Sequence, residues 1–290
     1  MSPALQDERA VPRHPAAQDR AAARSALGAT WAGLPDALHA EWTKLRTVSS
    51  TAWLLLVAIV VTIATGAITS SVVKCPGSCG ADPAKISLTG VMLGQATIAV
   101  LAVLVMTSEY STGMIRATLT AVPRRTTVLA AKAAVLTAVV LVAGTIAVLG
   151  SVLAGELLLP GNGFTAAHGF GPLTLVHGPV LRAAAGSVLY FWLIAMLGLG
   201  IAAAVRESGV ATTLVLGLLY VLPIIGSLIL NPHWERRFQR YSPMDAGLAI
   251  QATRNLGKLP IGPWEGLGVL ACWAAAAMLA GWGLLRWRDA

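Results

Sequence analysis

The chain has 290 residues, 56% of them hydrophobic and only 12% charged, with a mean hydropathy of +0.71 and a formal net charge of +8. A soluble domain carries about 25% charged residues, so half that, set between long apolar blocks, places the chain among membrane proteins. Its basic residues stand beside apolar runs and not on one soluble face, which argues against nucleic-acid binding.

Residues 1–30 are rich in Ala, Arg, Pro and acidic residues and hold no apolar core, so a disordered cytoplasmic tail is expected. No apolar segment follows the early charges before Trp31, so the start does not read as a secretory signal. Over 31–50 the pattern changes. Trp31, Leu34, Leu38, Trp42 and Leu45 step by 3, 4, 4 and 3 residues, which is one helical stripe. His39, Glu41, Lys44 and Arg46 lie off that stripe, and Pro35 suits a first helical turn. Trp on one side and basic residues on the other predict an amphipathic helix at the membrane interface. The alternative is a soluble helix packed on another subunit.

Six apolar runs follow, at 52–71, 87–107, 133–155, 183–205, 208–230 and 264–285. Each holds 20 to 23 residues, against roughly 20 needed to cross a bilayer at about 1.5 Å per residue. The prediction is an all-α integral membrane protein with a six-span domain over 52–285 and a short cytoplasmic tail at 286–290. The span interiors lack Asp, Glu, Lys, Arg and His, and the one acid, Glu265, is at an outer end. Intramembrane ionisable groups would mark proton or ion coupling, so a proton-driven transporter is disfavoured. The spans also offer no acid–base pair for hydrolysis.

Within the spans, Gln95 should face protein and not lipid. Gly90 and Gly94 form a small-xxx-small pair, a motif common by chance in Gly-rich spans. Pro223 should kink the fifth span. Cys75 and Cys79 frame a short polar loop without a second Cys or His pair, which speaks against zinc. In an oxidising exterior they could form a small disulfide; two free thiols are the other outcome. Cys272, inside an apolar run, reads as a small packed side chain.

Between the second and third runs lies the polar stretch Glu109 to Arg125, closed by Lys132. Because both neighbours cross the bilayer, it must face water at the membrane surface. Ile115, Thr118, Leu119 and Val122 fall at helical spacing, Glu109 precedes them where it would complement a helix dipole, and Pro123 ends the stripe. Physical reasoning leaves two uses open, docking to a partner or resting on lipid headgroups.

The pattern Glu109, Tyr110, Thr112, Gly113, Met114, Ile115, Arg116, Thr118 and Leu119, then Pro123, Arg124 and Arg125, resembles the loop after the second span of ABC-2 type permeases. These are the membrane subunits of ATP-binding cassette exporters, and the resemblance is to their actinobacterial members. Glu41 to Arg46 is similar to the family's motif before the first span, and Arg206 to Gly209 to its tight inner turn. Tyr241 to Gly247 resembles an element before the last span, where the family has short outer helices dipping back into the membrane. Leu248 departs from the Gln expected next. The resemblance implies that Glu109 to Arg125 carries a coupling helix that plugs into a separate ATPase subunit. It also implies a second permease subunit, as a homodimer or heterodimer.

With the N-terminus inside, inner segments hold 13 Lys and Arg against 8 outside, five of those within 231–263. The positive-inside rule therefore favours this orientation chiefly in the N-terminal half, and the resemblance agrees. Both termini are expected in the cytoplasm of a bacterial cell. In the outer segment, Trp234, Phe238 and Tyr241 should share a helical face, while the loop 156–182, with five Gly and three Pro, should be irregular. His168 and His177 in that loop read as solvated and not as metal ligands.

No Gly-x-x-x-x-Gly-Lys-Ser/Thr, Gly-x-Ser-x-Gly or His-Glu-x-x-His pattern occurs. The chain is therefore expected to hold no cofactor and to catalyse no reaction, with ATP and magnesium bound by the partner ATPase. An uncharged pathway suits a hydrophobic or amphipathic substrate, such as an antibiotic or a lipid-like compound. The alternatives are a structural or regulatory membrane subunit and, less favoured, a membrane enzyme.

Overall fold

The computed structural model describes residues 34–47, 49–76, 79–111, 125–175 and 178–287. The tail at 1–30, Trp31 and residues 112–124 of the polar stretch lie outside these residues. Among the described residues the protein is all α-helical, with short 3-10 and π segments and no strand. A leading helix, Leu34–Thr47, comes first. Six helices are long and apolar enough to cross a membrane: Ser49–Val72, Pro83–Ser108, Thr126–Leu158, Gly178–Val205, Ser208–Ser227 and Pro263–Trp287. The chain is a multi-pass membrane protein.

Hydropathy located every span, and local chemistry moved their ends. Asp82 caps the second span early by accepting from the Lys85 amide at 3.4 Å, so the helical path begins at Pro83. The third helix begins at Arg125, and its first turns are covered because Thr127, Val128, Leu129 and Ala131 face the bundle. The fifth span carries a π segment, Gly217–Val221, just before Pro223. Proline has no amide to donate and its ring crowds the carbonyl four residues back; a widened turn accommodates both. Between spans four and five the chain reverses on Arg206, which adopts a left-handed φ of 66°. Glu207 then caps the fifth span, accepting from the Gly209 and Val210 amides at 2.9 and 2.7 Å.

The fourth span is the most buried of the six. The second and sixth spans pack on it, and the first packs on the second and third. Small residues set two of these seams. A Cβ at Gly200 would lie 2.5 Å from the Ala277 carbonyl carbon, and one at Gly281 would lie 2.6 Å from the Gly200 oxygen. Spans four and six thus meet backbone to backbone. Gly90 does the same between spans one and two, where a Cβ would sit 1.9 Å from the Thr62 oxygen. The small-xxx-small pair is therefore a packing seam, since Gly94 also abuts Thr62. Gly90→Leu should force these spans apart and cost about 1–3 kcal/mol or more, as overpacking does. Denaturation of the purified protein in detergent measures it.

One expectation needs correction. Cys272 is exposed and not packed against the other described residues. Glu109 belongs to the helix Val91–Ser111, near its C-terminal end. The stripe that it precedes, from Ile115 to Val122, lies outside the described residues.

The segments after the first and third spans are tied together locally. Cys75 and Cys79 are joined as a disulfide, with Cα atoms 5.8 Å apart. The Cys75 amide donates to the Asn162 carbonyl at 2.8 Å, and the Asn162 side chain donates to the Ser70 carbonyl at 3.0 Å. The loop after the third span is only partly irregular, holding 3-10 turns at Pro160–Asn162 and Ala166–His168. His168 is exposed, with its Nδ1 at 2.7 Å from the Gly163 oxygen.

Candidate functional site

The leading helix meets the bundle through its charges. Lys132, 2% exposed, donates from Nζ to Glu41 Oε2 at 2.9 Å and to the Val105 carbonyl at 3.2 Å. Lys44 pairs with the other Glu41 oxygen at 3.1 Å from a much more exposed position. Glu41 is itself 6% exposed, while Trp42 on the apolar stripe is 45% exposed. Glu41, which lies off the stripe, is thus buried against protein. Leu38 is half-buried, and of Leu34 and Leu45 only the helical backbone is described.

This ion pair ties three elements at one end of the bundle. They are the leading helix, the last turns of the second span and the first turns of the third. Those last two are the helices between which 112–124 runs. Glu109 and Tyr110 stand on the second of the six spans' helical extension and Arg125 opens the third helix. Thr112, Gly113, Ile115, Arg116, Thr118, Leu119 and Arg124 lie outside the described residues.

A second polar cluster pins the bundle away from that ion pair. Gln95 is fully buried; its Oε1 accepts from the Tyr190 hydroxyl and its Nε2 donates to Met244 Sδ at 3.2 Å. Gln251 Nε2 donates to Ser187 Oγ at 3.3 Å, and the Tyr220 hydroxyl donates to the Met92 carbonyl at 2.6 Å. Spans two, four and five and the segment 243–251 are thereby cross-linked by neutral groups. Buried neutral groups that satisfy one another fix helix positions and carry no proton-transfer chemistry by themselves. Trp192 Nε1 adds a bond to Thr137 Oγ1 at 2.9 Å between spans four and three.

At the N-terminal end of the second span, one carboxylate gathers a distant segment. Asp82 accepts from the Thr253 amide, from Thr253 Oγ1 at 2.6 Å and from the Arg254 amide at 2.9 Å. Arg254 reaches on to the Gly169 carbonyl at 2.8 Å, with its guanidinium 4.5 Å from the Phe170 ring centre. Arg182 donates to the Ala252 carbonyl. The segment between the fifth and sixth spans forms the helices Pro232–Tyr241 and Pro243–Leu248. Phe238 packs on Gly226, while Trp234 and Tyr241 of the same helix are exposed.

Sequence reasoning missed Asp82, Tyr190 and the burial of Glu41. A carboxylate directly before Pro83 was a legible helix-start signal. Nothing local announced its second role at 253–254. Compared with protein families and with curated proteins, the chain finds no match in either.

Proposed function

We propose that the protein is the permease subunit of an ATP-binding cassette exporter of the ABC-2 type. Six spans line a pathway for a hydrophobic or amphipathic substrate, and a separate ATPase subunit supplies the energy. In this reading the chain pairs with a second permease subunit in a bacterial plasma membrane, with both termini in the cytoplasm. The segment 109–125 serves as the coupling element.

The observation that supports this best is the buried brace of Glu41, Lys132 and the Val105 carbonyl. It stiffens the two helices flanking that segment against the leading helix. A docking element transmits force only if its roots are rigid, and a loop resting on lipid headgroups has no use for such bracing. The stripe Ile115, Leu119 and Val122 beside Arg116 then provides an apolar face with a charged rim.

Leu119→Asp tests this. Burying a leucine contributes about 1.5–3 kcal/mol, and an unpaired acid in its place adds a desolvation cost. A P-loop ATPase should co-purify in stoichiometric amount with the native chain. Its recovery should fall at least about tenfold with Leu119→Asp, while the chain stays in the membrane fraction. Undiminished ATPase recovery, or no ATPase with the native chain, overturns the coupling role. Transport by the chain alone would also exclude it.

A further inference from the structure

At the N-terminal end of the second span the structure holds a cavity of about 360 Å³. Its wall is mostly apolar, with Met92, Met244, Leu248 and Ile261 among its members, and Asp245 lines it together with the neutral polar residues Thr89, Gln239 and Gln251. That size and make-up fit a small-molecule site, where apolar walls give affinity and a few polar groups fix orientation.

Asp245 is the unusual member. It is half-buried and makes no ion pair among the described residues. Burial pushes its carboxyl above the usual carboxylate range, with the Ser242 side chain pulling the other way. A carboxylate turned into an apolar cavity is stabilised by a cation that enters the cavity with it. Lys85 also lines the cavity, but it is exposed, so water hydrates its ammonium. Helix polarity gives no full account of Asp245 either. The first turn of the six-residue helix Pro243–Leu248 favours an acid but does not require one facing a cavity.

We propose that this cavity binds a small amphipathic amine, its ammonium on the Asp245 carboxylate and its apolar body against Met92, Met244, Leu248 and Ile261. The site belongs to this chain alone and requires no ATPase. It goes beyond the transport reading, which leaves the charge of any ligand open.

The experiment uses three probes with one aromatic body and different heads: phenethylamine, 2-phenylethanol and phenylacetate. Binding to the full chain in lipid nanodiscs is measured by calorimetry, with empty nanodiscs as the blank. Phenethylamine should bind saturably and about tenfold or more tighter than phenylethanol, with phenylacetate weakest. Asp245→Asn should reduce the amine to the level of the alcohol, a loss of about tenfold to a hundredfold for a charge-assisted contact. Asp245→Glu should keep the preference for the amine. Leu248→Trp, which fills the cavity without touching the charge, should abolish binding of all three probes.

No saturable amine binding by the native chain would overturn the proposal. So would equal amine affinity in native and Asp245→Asn proteins, or unchanged binding in Leu248→Trp. Because no ATPase is present, failure here is separate from failure of the pull-down with Leu119→Asp.

Discussion

Glu41→Gln is expected to destabilise the protein by about 3–5 kcal/mol, the usual cost of breaking a buried ion pair. Lys132, 2% exposed, and Lys44 would both lose the same carboxylate. The reverse change should be milder. In Lys132→Met, Glu41 still holds Lys44 at 3.1 Å, so about 1–3 kcal/mol is expected. Lys44→Ala should cost under about 1 kcal/mol, since that lysine is part-exposed. The double change Glu41→Leu with Lys132→Met should recover most of the loss, because matched apolar groups replace a buried pair at little cost. Denaturation of each purified variant in detergent ranks the four. If Glu41→Gln matches the native protein, the pair carries no weight and the bracing argument for the coupling segment fails with it.

Asp82→Ala should release the segment 252–254 from the N-terminal end of the second span. Three donors, the Thr253 amide and hydroxyl and the Arg254 amide, would lose one charged acceptor. Hydrogen bonds to a charged group contribute about 1.5–3 kcal/mol each, but these share one carboxylate and are partly solvated, so about 2–4 kcal/mol in total is expected. Amide hydrogen exchange at Thr253 and Arg254 should then quicken by roughly a hundredfold, while exchange in the fourth span stays unchanged. Asp82→Asn should fall between, since it keeps one oxygen but turns an amide donor toward donors. Uniform acceleration across the chain would mean that Asp82 supports the whole fold and not this segment. No acceleration would mean that the clamp is dispensable.

The helical class and the six spans follow from the sequence because the signal is local. A run of about 20 apolar residues must satisfy its own backbone hydrogen bonds in a bilayer, and a helix does so within itself. The cysteine pair, four residues apart, was legible only as a candidate disulfide beside two free thiols, and the structure joins it. The stretch from Thr112 to Arg124 still rests on its sequence pattern alone.

Facing and partnership belonged to the tertiary structure. Glu41 lies off the Trp and Leu stripe of its helix, which said nothing of its burial, yet it is buried. Its partner Lys132 lies 91 residues away, beyond any periodic pattern. Asp82 announced a helix start through Pro83, but its bonds to Thr253 cross 171 residues. Gly90 looked like one small pair among many until Thr62 was found against it. Hydropathy reports how each segment meets lipid, and it is nearly blind to which polar side chains meet each other. That choice is made only when the helices pack.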